Sequence, residues 1–432
     1  MKTNAVTKDL CSFIAASPTS FHAVAEAERR LKDAGYKSWT PDAPAAFGEK
    51  LYYAPSATCL FAFAIGGKPA KNKGLKLRLA GAHTDSPCLH IKPDPDMSNK
   101  QYLRLNVDVY GGPIVNTWLD RPLSIAGRIA VKDEKTKKPV IRLFDAKDPV
   151  LSIPNLAIHM NREVNKGVEL NRQTDILPLL GLSENGTDTK GTFVKFLAGK
   201  LKCKPENIID FDLFVYNTEA ASIQGLNGEF LTSPRLDDLT SCHALLEAMK
   251  ETPAAGTLNI AAFYNNEEIG SNTANGADSR TLPMVLENLY DALSLSHSTL
   301  NADILNGTLL SLDVAHALHP NMTGKYDPQV FALMGDGVVF KLNSCQKYIN
   351  DLEVLAELEV LCETKKIPYK KFVNRSDVAG GGTIGNMLAS WLPMKGLDMG
   401  VPILSMHSSR ETMGVTDQDA LVKLLCAFFG SK

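Results

Sequence analysis

Two adjacent carboxylates, Glu267 and Glu268, stand in Asn265-Asn266-Glu267-Glu268-Ile269-Gly270-Ser271, directly after the apolar run from Leu258 to Tyr264. The run reads as a buried strand and the acids as its exit. Successive residues of an extended chain point to opposite sides, which predicts different tasks for the two acids. In a hydrolase that pairing suits one metal ligand and one proton carrier. An isolated Glu-Glu is ordinarily a solvated acidic loop, so the rest of the chain must supply the context. Three further residues supply it: His83, Asp313 and His407 each follow a strand-like run, as Glu268 does. Ligands of open α/β sheets bind at the C-terminal edge of the strands. A lone histidine there is usually structural, but imidazoles and carboxylates converging on one edge form the layout of a metal site.

In His83-Thr84-Asp85, residues two apart share a strand face. Asp85 is then placed to hold the distal N–H of a metal-bound His83, or else to close a turn with Ser86-Pro87. Asp237 and Asp238 open a helix after Pro234. Acids there are often caps favoured by the helix dipole, and either one can instead bridge two metals. Two histidines and three carboxylates exceed the three protein ligands of a single open zinc. With one bridging Asp they serve two ions about 3.5–4 Å apart. Nitrogen and oxygen ligation without thiolate suits Zn²⁺, with Mn²⁺ or Co²⁺ as alternatives.

The elements that must position these groups form an α/β pattern. Val6 to Ala34 reads as two helices broken near Pro18, with Ser20 as N-cap and Gly35 as stop. Thr58–Ile65 and Leu75–Ala80 read as strands. Residues 95–232 change texture: Leu103, Leu105, Val107 and Val109 alternate, 122–131 and 140–144 form a hairpin, and 212–216 is a strand. From Ser233 strands and helices alternate again: helix 236–250, strand 308–312, extended chain 330–342, helix 350–365, strand 401–406, and a last helix capped by Thr416-x-x-Asp419. The fold class is therefore α/β, a mixed sheet with helices on both faces. Residues 1–94 and 233–432 form a discontinuous catalytic domain, interrupted by a β-rich insertion at 95–232.

The bulk properties exclude other classes. The chain has 432 residues, 44% hydrophobic and 22% charged, with net charge −2. That is an ordinary globular balance, with no sign of nucleic-acid or membrane binding. No apolar run approaches the ~20 residues of a membrane span. Lys2 and Lys8 ahead of Leu10–Ala16 imitate a signal peptide, but Asp9 and the amphipathic pattern after Pro18 favour a structural helix. The eight cysteines are scattered without a Cys-x-x-Cys, which fits reduced thiols in the cytoplasm.

Together, Gly81-Ala82-His83-Thr84-Asp85-Ser86-Pro87, Pro234-Arg235-Leu236-Asp237, Asn265 to Ser271, Asp313-Val314-Ala315-His316 with His319-Pro320-Asn321, and Met406-His407-Ser408-Ser409-Arg410-Glu411 resemble the aspartyl aminopeptidase family, metallopeptidase family eighteen. The likeness runs over essentially the whole chain. It implies one zinc held by His83 and Asp313, a second by Glu268 and His407, Asp237 bridging, Glu267 as general base and Asp85 as partner of His83. It further implies that the β-rich insert is a dimerisation domain, that dimers build a tetrahedral dodecamer, and that His159 reaches a neighbour's active site. By itself His159 would read as a core or strand-edge residue. Two segments depart from the family: Asp237-Asp238 replaces a frequent Asp-Asn, and Gly380-Gly381-Gly382-Thr383-Ile384-Gly385 replaces a Cys-Gly-x-Thr-Ile-Gly segment near the substrate pocket. The name implies peptide substrates with a free, acidic N-terminal residue. Lys341 is a candidate anchor for such a side chain, or an exposed strand lysine. His316 and the glycine-loop amides, Gly381 among them, are candidate donors to the carbonyl oxygen. A dizinc carboxypeptidase or deacylase is the nearest alternative, and a non-catalytic metal-binding scaffold a more distant one.

Overall fold

Alternation of side chains along four strands divides the larger part of the molecule into two cores. In a computed structural model describing residues 5–71, 73–184 and 189–431, Leu60, Ala62, Ala80, Ala82, Ala261, Phe263, Leu310 and Leu312 face one core. Phe61, Phe63, Leu77, Leu79, Ile260, Ala262, Tyr264 and Leu309 face the other. This is the period of two that an extended chain imposes, and both faces are apolar because both are covered. Helices Ala5–Ala16, Ser20–Asp33, Leu236–Ala248, Leu352–Lys365 and Val415–Gly430 contribute to the first core. Helices Thr281–Ala292, His297–Leu305 and Ile384–Trp391 contribute to the second. The molecule is a mixed α/β fold with helices on both faces of its sheet.

That sheet has nine strands, in the order Lys37–Ser38, Lys50–Ser56, Cys59–Ile65, Thr257–Tyr264, Lys76–His83, Thr308–Leu312, Lys395–Gly400, Val338–Leu342 and Tyr369–Val373. Thr257–Tyr264, Lys76–His83, Thr308–Leu312 and Lys395–Gly400 run parallel. Their C-terminal ends therefore share one edge, with His83 the last residue of its strand and Asp313 one past the end of its own. A separate five-stranded sheet joins Ser222–Gln224, Phe230–Ser233, Glu411–Gly414, Pro402–Leu404 and Ala315–His316. The strand preceding His407 belongs to this smaller sheet, not to the nine-stranded one as the sequence pattern implied.

Packing divides the chain into two units. One comprises Met1–Asp85, Ala221–Met406 and Glu411–Lys432, the other Ser86–Ala220 and His407–Arg410. The second unit begins earlier than residue 95 because Cys88–Asn99 is already a strand of its sheet. It ends before 232 because Phe230–Ser233 pairs with Glu411–Gly414. Its own sheet is antiparallel, ordered Pro139–Asp145, Leu123–Lys132, Ile208–Asn217, Cys88–Asn99, Tyr102–Tyr110 and Leu179–Leu182. Leu105, Val107, Ile125, Ile129, Leu213 and Val215 fill its core with Phe193 and Leu197 of the helix Thr192–Leu201.

Three local expectations change. The first long helix after the break starts at Ser20 with Thr19 in the cap position. The last helix starts at Val415, so Thr416 lies inside it. Asp417 instead takes the N–H groups of Gly335 (2.8 Å) and Gly337 (2.9 Å), which ties down a loop where extended chain was expected before Val338. Lys2 lies outside the described residues. Among the described residues no helix is long and apolar enough to cross a membrane.

Candidate metal centre

His83 is 1% exposed, and its ring geometry fixes its chemistry. Nδ1 lies 3.1 Å from the Asp85 main-chain carbonyl, which only accepts, so Nδ1 carries the proton. Nε2 then points at Asp237 Oδ1 (3.2 Å) and Asp313 Oδ1 (3.9 Å). A nitrogen lone pair facing two carboxylates is repulsive unless a proton or a cation lies between them. Burial disfavours imidazolium, yet the bonds to Asp237, Asp313 and Asp85 hold the His83 pKa well above its usual value. A metal ion supplies the same positive charge.

The Asp85 side chain faces two groups. Its carboxylate stands 3.5 Å from Nδ1, while its backbone carbonyl makes the closer contact. The carboxylate accepts the N–H groups of Glu267 and Glu268, each at 3.2 Å. Asp85 thus joins the His83 strand to the acidic turn. That turn is a single 3-10 turn, Glu267–Ile269, entered through Asn266 in the left-handed region at φ 65°. Strand alternation therefore does not separate the two glutamates, and ligand atoms of both gather with His83 within 4.8 Å. Burial and the carboxylates of Asp313, Asp237 and Asp85, opposed by His83, push Glu267 up to about 8. Burial and Asp237 lead the causes that raise Glu268 well above the usual range.

Asp237 and Asp238 precede the regular part of their helix, both with non-helical backbone angles. Asp237 N–H donates to Glu411 Oε2 (3.1 Å) and Asp238 Oδ2 accepts His83 N–H (3.3 Å). Cys242, on the same helix, donates its thiol to the His83 carbonyl at 3.0 Å. Ligand atoms of His83, Asp237, Asp238 and Asp313 lie within 4.8 Å of one another. Asp313 is held well below the usual carboxylate range: burial alone would raise it, but Lys341 and His83 outweigh that.

Lys341 is not an exposed strand lysine. It is 3% exposed, and its Nζ donates to Asp313 Oδ2 and the Val314 carbonyl, both at 3.1 Å, over the Tyr348 ring. Asp85, Asp237, Asp238, Asp313, Glu267 and Glu268 thus surround one imidazole with one buried ammonium beside them. Buried charge of one sign is costly unless compensated. The imidazole and carboxylate donor set suits zinc, and the surplus negative charge is what divalent cations would offset.

The other expected residues fall elsewhere. His407 has φ 68° and packs with the second unit, where its Nδ1 donates to the Gly112 carbonyl at 3.1 Å. As in His83, Nε2 is then the ring nitrogen with a lone pair to offer. His316 sits on the two-residue bridge beside Ile403, its ring 6.0 Å from Phe372. His159 is exposed on a turn of the second unit, neither core nor strand edge. Gly381 has open space where a side chain would be, whereas a Cβ at Gly380 would meet Asn374 Nδ2 at 2.1 Å. Glu411, quoted in its motif without a role, is the residue sequence reasoning missed; nothing in its spacing links it to Asp237.

A second cluster, Asp9, His243 and Glu247, lies beside a cleft of about 630 Å³ and does not suit a metal. Gln418 Nε2, oriented by its bond to the Thr240 carbonyl (2.9 Å), donates to His243 Nδ1 at 3.0 Å. His243 therefore carries its proton on Nε2, donated to Asp9 at 2.9 Å. Arg30 occupies the same carboxylate at 2.6 and 3.1 Å.

Residues 13–429 match the family described as aminopeptidase I zinc metalloprotease, M18. The chain belongs to the M18 family. It is accordingly a metalloaminopeptidase. This M18 chain is 40% identical to a probable M18 family aminopeptidase 2 of Clostridium novyi, over 98% of both chains. It is 38% identical to aspartyl aminopeptidase 4 of Saccharomyces cerevisiae, over 98% of this chain and 94% of the relative. Among solved structures it resembles a chain of the Ape4 and Nbr1 complex, with TM-score 0.92 and 31% identity over 98% of this chain and 85% of that one. It also resembles the S. cerevisiae mApe1 dodecamer, with TM-score 0.83 and 26% identity over 99% and 97%.

Proposed function

We propose that this M18 aminopeptidase removes acidic N-terminal residues from peptides at a two-zinc centre. The observation that carries the reading is His83 Nε2, buried and aimed at Asp237 Oδ1 (3.2 Å) and Asp313 Oδ1 (3.9 Å), where a proton or a cation must lie between them. His83, Asp313, Asp237, Glu268 and His407 would hold the two zinc ions, with Asp237 shared between them and Mn²⁺ or Co²⁺ as substitutes. The ions would supply an acidified water and a Lewis-acid contact for the carbonyl. Glu267 takes the water's proton and returns it to the leaving amine. Asp85 keeps both glutamates in place through their N–H groups. His316 and the Gly381 amide are the proposed donors to the developing oxyanion.

An ammonium donates three hydrogen bonds. Asp313 and Val314 take two from Lys341, and the third would meet a substrate carboxylate. A panel of peptides tests the reading: Asp and Glu N-termini should be cleaved well ahead of Leu and Ala. An N-acetylated copy should resist, because an aminopeptidase needs the free amine. Cleavage of the blocked peptide would point to the carboxypeptidase or deacylase alternative.

Self-association into dimers, and from them a tetrahedral dodecamer that brings His159 to a neighbouring site, belongs to the same proposal. It is supported by exposed apolar residues of the second unit, Leu156 (58%), Met160 (75%) and Ile141 (59%), the last on an edge strand. All eight cysteines are free, which supports placement in the reducing cytoplasm.

A further inference from the structure

Three polar residues lie side by side across the nine-stranded sheet. Asp398 on Lys395–Gly400 is in register with Ser311 on one neighbouring strand and with Lys341 on the other. Directly opposed residues put their side chains on one face with Cβ atoms about 4.5–5.5 Å apart. Asp398 and Ser311 are fully buried and Lys341 nearly so. A buried carboxylate is costly unless it is hydrogen-bonded and paired. Asp398 Oδ2 accepts the Ile349 N–H at 2.6 Å, the Ser311 and Thr383 hydroxyls face it, and the Lys341 ammonium is its cation.

The same carboxylate lies under the glycine-rich loop. Thr383, beside Asp398, caps the helix Ile384–Trp391 and ends that loop. A Cβ at Gly385 would come within 2.6 Å of Asp398 Oδ2 and 2.8 Å of Ser311 Cβ. Only glycine lets the first helical turn sit this close. Lys347 Nζ holds the Gly380 carbonyl at 2.9 Å, and Tyr348 lies under the Lys341 ammonium. Asp398 thus reaches both Lys341 and the end of the glycine-rich loop, and it reaches the metal centre only through Lys341, whose ammonium also donates to Asp313.

We propose that Asp398 is the positioning residue for side-chain selectivity, aiming Lys341 and, through Thr383, anchoring the Gly380–Gly382 loop for an acidic N-terminal residue. This rests on the acidic-preference reading above. Asp398→Asn keeps the shape and removes the charge. The readout is the ratio of kcat/KM for an Asp-terminal peptide to that for an Ala-terminal one. The expected result is a fall of tenfold or more, carried by KM for the acidic peptide. In a Lys341→Gln background the same change should move the ratio less than twofold, since coupled residues are non-additive.

A ratio unchanged within twofold in folded Asp398→Asn overturns the assignment while leaving the acidic preference standing. If Asp398→Asn does not fold, Ser311→Ala must lower the ratio in the same direction, and no change there overturns it equally. A wild-type enzyme that cleaves free peptides without acidic preference removes both the reading and this role.

Discussion

Replacing Glu267 by Gln should lower kcat at least ~10²-fold, the scale of general-base catalysis, with metal content unchanged. Glutamine keeps the length of the side chain and the Asp85-anchored backbone, and loses only the ability to accept the water's proton. Glu267 and Glu268 both gather with His83 within 4.8 Å, so the contrast between them is the informative part. Glu268→Gln should lose metal, whereas Glu267→Gln should not. The pH profile gives a second readout. Burial and neighbouring carboxylates push the Glu267 pKa up to about 8 before any cation is counted, and bound cations lower it. Wild-type kcat/KM should rise with pH through this ionisation, and the Gln variant should lose that acid limb. Undiminished turnover in Glu267→Gln would remove the base from the mechanism.

Stripping the metal should abolish activity and leave a folded protein whose stability falls as pH rises. The sign follows from the buried acids. Asp238, Glu267 and Glu268 have folded-state pKa values above their ordinary ones, so between pH 4.5 and about 8 the native state holds protons that the unfolded chain has released. Stability then decreases with pH across that window. His83, also raised, acts in the same direction. Asp313 is lowered, so its contribution is already complete above the ordinary carboxylate range and does not oppose the trend. Added zinc should raise the melting temperature more at pH 8 than at pH 6, because cations replace the protons. The check is thermal unfolding of chelated and reloaded protein at both values. Unfolding on chelation at every pH would favour the scaffold alternative, in which the metal serves folding alone.

The ligand segments were legible because strand ends are written in apolar runs. Leu75 to Ala80 and Thr308 to Leu312 announce where His83 and Asp313 emerge, and parallel register then brings them to one edge. What was not legible depends on contacts far apart in the chain. Asp85 lies two residues from His83, yet its carboxylate serves a turn near residue 267, and no spacing reveals that. The sequence leaves Lys341 open between an anchor for an acidic side chain and an exposed strand lysine, and its burial beside Asp398 and Asp313 excludes the second. The helices Thr281–Ala292 and His297–Leu305 and the strands Lys395–Gly400 and Tyr369–Val373 do not stand out in the sequence pattern. Lys395–Gly400 carries two glycines and an aspartate, which conceal a central strand, since its burial comes from both sheet faces rather than from its composition. Thr416 resembles a cap in sequence, but Asp417 takes the loop N–H groups.

Anomalous diffraction at the zinc edge, on crystals of protein active against a free-amine peptide, tests the centre most directly. The account predicts two peaks about 3.5–4 Å apart, one bound by His83 and Asp313, the other by Glu268 and His407, with Asp237 between them. A single peak, or a second ion without His407, would contradict it.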